Sequence, residues 1–165
     1  MEHYGGGRKD YSSYATVDSP LLPCGSVSLE GVIDEIVPNG YTPLRLGLYN
    51  ALDEIIYNNE RADDDGTVRS VIILSDGDYN YYGDPLARGS VSTRLNPGTL
   101  SKNYHTFEKL TPAEQNLSYY ASHHQIKIFS IACGEDLSEG GRETLRILAE
   151  STGGEFYNAP DPSDL

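Results

Sequence analysis

The sequence predicts an α/β fold, a parallel, doubly wound sheet with helices between its strands, interrupted by one long polar insert. Two observations carry this. Val71-Ile72-Ile73-Leu74 and the stretch Ile126 to Ala132 are short apolar runs of the kind that form parallel strands covered on both faces. Around them lie segments whose apolar residues recur at i, i+3, i+4 and i+7, the spacing of a helix face. Strand–helix alternation of this sort builds parallel sheets, and a length of 165 residues suits a single domain.

Taken in order, residues 1–26 read as irregular or extended, with Tyr14 to Val17 as a weak strand. Leu29, Val32, Ile33 and Ile36 define a helix over 28–37, which Pro38-Asn39-Gly40 stops. A second helix runs over 44–58, its apolar face formed by Leu44, Leu48, Ala51 or Leu52, and Ile55. Thr42 stands where its N-cap belongs, with Pro43 at N1. The acidic loop 60–66 leads to a strand over 69–75. Residues 77–111 are rich in Gly, Pro, Asn, Ser and Tyr, and a loop of that length within one domain usually has a function of its own. A helix over 112–124 carries Leu117, Tyr120 and Ala121 on one side. After the strand over 126–132 comes a helix over 141–152 with Leu145, Leu148 and Ala149 inward, ended by Gly153-Gly154. Glu155-Phe156-Tyr157 is a short last strand, and Pro160 to Leu165 reads as the start of a further helix.

With 25 acidic against 12 basic residues the net charge is −13, which repels nucleic-acid phosphates and anionic lipid and favours cations. No apolar run is long enough to span a bilayer, and the N-terminal residues have no signal-peptide core. Cys24 and Cys133 have neither metal-type spacing nor a disulfide framework; two free thiols or a single bridge both fit. No nucleophile elbow, phosphate loop or zinc-protease motif occurs. Nothing in the sequence supports an enzyme.

Four pieces, Gly40-Tyr41-Thr42-Pro43, Ser75-Asp76-Gly77, Ile126 to Gly134 and Thr152-Gly153-Gly154-Glu155-Phe156, stand in an order and spacing that resembles the von Willebrand factor A domain. The resemblance covers 14–165, apart from the insert. It implies a Rossmann-like, mostly parallel sheet flanked by helices. It also implies a divalent-cation site of the metal-ion-dependent adhesion type at the top of that sheet, where a protein ligand binds. By resemblance Thr42 would coordinate the cation through its hydroxyl and Asp76 would sit beside it, commonly through water. Such hard oxygens suit Mg²⁺, Mn²⁺ or Ca²⁺. Asp78, Tyr79, Tyr81 and Tyr82 would form a ligand-binding rim, because tyrosine is favoured at interfaces.

The family's first strand, ending in Asp-x-Ser-x-Ser, and its last helix have no counterpart here, so the chain reads as an incomplete A-type domain. The expected function is an adhesion-type protein-binding module with a partial cation site. The alternative is a non-metal structural piece whose sheet a partner chain completes. The resemblance favours the cell surface or the extracellular space.

Each site residue also has a plainer reading. Thr42 suffices as a helix cap, Asp76-Gly77 as a turn, and the tyrosines as packing for the insert. Asp63-Asp64-Asp65-Gly66 lacks the spacing of a calcium loop. His123-His124 suits a helix C-terminus, where imidazole interacts well with the dipole. Asn116-Leu117-Ser118 matches a glycosylation sequon inside a predicted helix.

Overall fold

Six elements follow one another in the computed structural model, which describes residues 15, 17, 18, 21, 31, 32, 41–57 and 66–160. They are α1 (Leu44–Tyr57), β1 (Arg69–Ser75), α2 (Leu117–His123), β2 (Ile126–Cys133), α3 (Glu139–Glu150) and β3 (Phe156–Ala159). The three strands form one parallel sheet in the order β1-β2-β3. The α/β class and the parallel pairing are thus as the sequence predicts. The expected strand at Tyr14–Val17 is not formed by Ala15 or Val17. Gly31 and Val32 are helical, while the rest of the 28–37 helix, the 58–65 loop and the segment after Pro160 lie outside the described residues.

The core lies between the sheet and the helices. Val71 and Ile73 of β1 and Ile126, Ile128 and Ala132 of β2 point into it. They meet Leu48, Leu52 and Ile55 from α1, Leu117, Tyr120 and Ala121 from α2, and Leu145 and Leu148 from α3. These are the inward positions that helical spacing predicts. Ser130 is buried among them without penalty, because its hydroxyl donates to the Leu145 carbonyl at 2.9 Å.

Strand β1 departs from the sequence reading. Its continuous apolar run predicts cover on both faces, yet burial alternates along it, and Ile72 and Leu74 are 70% and 64% exposed. Register places Ile72 beside Phe129, Leu74 beside Ile131, and Ile131 beside Tyr157. These side chains line one apolar face of the sheet, and α1, α2 and α3 pack on the other. Among the described residues β1 pairs only with β2, and none of them pairs with its second edge.

Helix boundaries follow local chemistry. The first bond of α1 runs from the Gly47 N–H to the Pro43 carbonyl at 3.0 Å. Pro43 therefore holds the cap position, and Thr42, expected there, lies one residue further out. The helix expected over 112–124 begins only at Leu117. Asn116 caps it by accepting from the Ser118 and Tyr119 N–H groups, and residues 112–115 form turns. α3 ends in a Schellman arrangement: Gly153 adopts a left-handed φ of 75° and donates to the Glu150 carbonyl, and Gly154 donates to Ala149. Gly154 then crosses β2 so closely that a Cβ would lie 1.9 Å from the Ile128 oxygen.

Residues 78–116 fold back on themselves through isolated bridges, Gly83–Tyr104 and Val91–Tyr104. Backbone bonds from Asp84 N to Asn103 O (3.1 Å), Gly89 N to Lys102 O (2.9 Å) and His105 N to Tyr82 O (3.2 Å) close the segment. It is an ordered cap over the α1 end of the sheet, and its anchor is Arg45. That fully buried guanidinium donates to the carbonyls of His105 (2.9 Å), Asp84 (2.8 Å) and Gln115 (2.9 Å), and to Gln115 Oε1 (3.0 Å).

Candidate functional site

β1 ends in Ser75-Asp76-Gly77, and α1 begins beside that turn. The two are joined by Asn80. Its Oδ1 accepts from the Thr42 N–H at 2.8 Å, its own N–H donates to the Thr42 carbonyl at 3.2 Å, and its carbonyl accepts from Gly98 at 3.0 Å. Thr42 is thereby fixed against the turn. A Cβ at Gly77 would lie 3.4 Å from the Thr42 hydroxyl oxygen, so the hydroxyl stands directly over the residue that follows Asp76. Ser75 tightens the turn by donating its hydroxyl proton to the Gly77 carbonyl at 2.9 Å. Among the described residues no hydrogen bond engages the Thr42 hydroxyl or the exposed Asp76 carboxylate.

Thr42 and the turn that carries Asp76 therefore lie together at the carboxyl end of a parallel strand, where open α/β sheets gather their ligands. Their two uncommitted hard oxygens fit a cation such as Mg²⁺, which keeps several waters when only one or two protein ligands are present. Asn80, invisible to motif reading, fixes the Thr42 backbone beside the turn.

The expected rim is arranged differently. The Asp78 carboxylate turns to α3, where Oδ1 accepts from the Ser138 N–H at 3.0 Å and from its hydroxyl at 2.9 Å. Ser138 in turn caps α3 through Gly141. A Cβ at Gly141 would lie 2.2 Å from Asp78 Oδ1, so a larger residue there would push the Asp78 side chain off Ser138. Tyr79 and Tyr81 are buried, 2% and 6% exposed, so they pack the insert and offer no ring to a partner. Tyr79 OH accepts from Arg88, whose guanidinium also pairs with the buried Asp84 at 2.7 Å and donates to Thr144 of α3 at 2.7 Å. Tyr82 is half-buried against His105 and Phe107. The exposed aromatic ring beside the site is Tyr41, stacked on Tyr81 with centroids 5.5 Å apart.

A second cluster lies at the far end of α2. Glu114, His123 and His124 each present a ligand atom within 4.8 Å of the others. Hydrogen bonds from Thr111 hold the Glu114 carboxyl below its usual range, and burial, then the charge of His123, lowers His124. His123-His124 read by itself does not reveal this cluster, because Glu114 comes from a turn nine residues before His123. The Thr111-Pro112-Ala113-Glu114 pattern, a capping box, was the available signal.

Cys133 is a free, half-buried thiol, and Cys24 lies outside the described residues. Among the described residues no helix is long and apolar enough to cross a membrane.

No protein-family model and no curated protein matches the chain. Among solved structures it is similar to the pilus adhesin SpaC from Lactobacillus rhamnosus GG, at 14% identity and a TM-score of 0.51, over 82% of this chain and 19% of that one. An uncharacterized membrane spanning protein from Vibrio fischeri also matches, at 20% identity and a TM-score of 0.34, over 82% of this chain and 58% of that one. The chain thus spans less than two thirds of either. At such identities the likeness to SpaC concerns the fold.

Proposed function

We propose that this chain is a binding module of the von Willebrand factor A type, with a partial divalent-cation site at Thr42 and Asp76 through which it engages a protein ligand. The observation that carries the reading is the uncommitted Thr42 hydroxyl, which stands over the Asp76-Gly77 turn because Asn80 holds the Thr42 backbone there. Two protein oxygens leave most of the coordination shell to water, and one of those waters can yield to an acidic side chain of the partner. The shared fold with part of a pilus adhesin supports an adhesive role at a cell surface. No catalytic step is assigned to the chain; the site binds.

Adding millimolar Mg²⁺ or Mn²⁺ to the purified chain tests this. A ligand at about 100 times its Kd stabilises by roughly 2.7 kcal/mol, visible as an upward shift of the melting midpoint. The shift should vanish in Asp76→Ala. An equal shift in that variant, or none in the parent chain, removes the site from the proposal.

A second reading rests on the exposed Ile72 and Leu74 and on the second edge of β1, which no described residue pairs with. In it a partner chain supplies a further strand and completes the sheet, with no metal involved. A chain that melts cooperatively as a monomer, indifferent to added partner strands, would exclude it.

A further inference from the structure

We propose that Glu114, His123 and His124 form a binding site for a borderline divalent transition ion of the zinc class, separate from the Thr42–Asp76 site. Two imidazoles and one carboxylate are a donor set that such ions take up, with a fourth position left for water or an outside ligand. The spacing fits. Zinc with bonds of about 2.0–2.1 Å in a tetrahedron sets neighbouring ligand atoms about 3.4 Å apart. His123 Nδ1 and Glu114 Oε1 are already 3.5 Å apart, and all three ligand atoms fall within 4.8 Å. The His123 side chain is 60% exposed, so it has room to adjust to an ion.

The carboxylate is prepared for the role. Glu114 Oε2 accepts from the Thr111 N–H at 2.9 Å and from its hydroxyl at 2.7 Å, which fixes the group and turns Oε1 toward His123. Partners of this kind orient metal ligands and commonly account for 10–100-fold in affinity. His124 is held from behind by Tyr120, edge-on with centroids 4.9 Å apart, and His123 stacks on Tyr119 at 6.1 Å. The exposure of His123 leaves the cluster accessible to water or an outside ligand. With a net charge of −13 the chain also concentrates cations around itself.

A Glu114–His123 ion pair at a helix end would look similar without any metal, and Zn²⁺ or Co²⁺ titrated into the metal-stripped full chain separates the two. One equivalent of Zn²⁺ should bind, and Co²⁺ should develop the visible absorption of a low-coordinate nitrogen–oxygen site. His123→Ala and His124→Ala should each weaken Zn²⁺ binding on the order of 100-fold or more, and Thr111→Val about tenfold through loss of orientation. Asp76→Ala should bind Zn²⁺ like the parent, so failure here and failure of the first site are told apart. Unchanged Zn²⁺ affinity in the His123→Ala/His124→Ala double variant would overturn the proposal. If a variant fails to fold, the imidazole NMR signals of the parent chain decide: Zn²⁺ must perturb His123 and His124 and leave His105 unmoved, and any other pattern rejects the site.

Discussion

Arg45 and Gln115 are joined through both side chain and main chain. Arg45 Nη2 donates to Gln115 Oε1 at 3.0 Å, and Nη1 donates to the Gln115 carbonyl at 2.9 Å. Gln115 passes the connection on, accepting from the Phe107 N–H at 3.0 Å and donating to the Phe107 carbonyl at 2.8 Å. Burial lowers the Arg45 pKa to about 10, and the nearby Asp84 opposes that shift. One side chain of α1 thus holds both ends of the insert.

Replacing it should release the insert. Arg45→Met keeps the volume but strands the buried carbonyls of Asp84 and Gln115 and the half-buried one of His105, and an expected loss of about 3 kcal/mol follows from breaking a charge-assisted network. Urea unfolding measures the loss, and hydrogen exchange should show amides of 84–115 losing protection first. A stability within about 0.5 kcal/mol of the parent would mean that the insert is anchored elsewhere.

Asp76 and Asp78 are two residues apart and should behave oppositely. Asp78→Ala removes the acceptor for Ser138 at the start of α3 and should cost about 1 kcal/mol, the usual value of a lost cap. Asp76→Ala touches no hydrogen bond, so its stability without metal should stay within about 0.5 kcal/mol of the parent, while the Mg²⁺-induced rise in melting midpoint disappears. Paired melts with and without Mg²⁺ distinguish the two.

The faces of β1 make a similar contrast. Ile73→Ala, on the helix-covered face, should cost roughly 2–4 kcal/mol through transfer and cavity terms. Ile72→Thr with Leu74→Thr, on the open face, should cost under about 1 kcal/mol in urea unfolding. A large loss from the second pair would mean that the face is covered in solution.

Stability should fall in mildly acidic solution. Burial, reinforced by the Arg45 charge, lowers the His105 pKa below its ordinary 6.5. The folded chain therefore keeps His105 neutral where the unfolded chain has taken up a proton. Its contribution is complete above pH 6.5 and is lost as pH falls through that value toward the folded pKa. His124, lowered by burial and by His123, adds with the same sign. Urea midpoints should drop between about pH 7.5 and about pH 5.5, less so in His105→Gln. An identical slope in that variant would assign the effect to other groups.

The elements legible in the sequence are those whose apolar residues repeat over several turns or run through a strand. α1, β1, β2 and α3 fall within a residue or two of their expected bounds. The meeting of Thr42 with the Asp76-Gly77 turn follows from both lying at one end of a parallel sheet. The start of α2 is not legible in the sequence, because Asn116, in an apparently helical run, uses its side chain to cap the next turn. Asp78 and Tyr79 resemble rim residues in a polar loop. Nothing local records that Ser138, 60 positions on, donates to one, or that the insert closes over the other.

By itself the sequence determined the α/β class, the parallel pairing and the inward faces of the helices, because each rests on a short-range period that backbone geometry converts directly into a buried stripe. Tertiary structure alone decided which face of β1 is covered, that Arg45 is the buried anchor of the insert, and that Glu114 joins His123 and His124. Those outcomes depend on which distant groups can satisfy one another's hydrogen bonds once the chain has closed, and no local period encodes that.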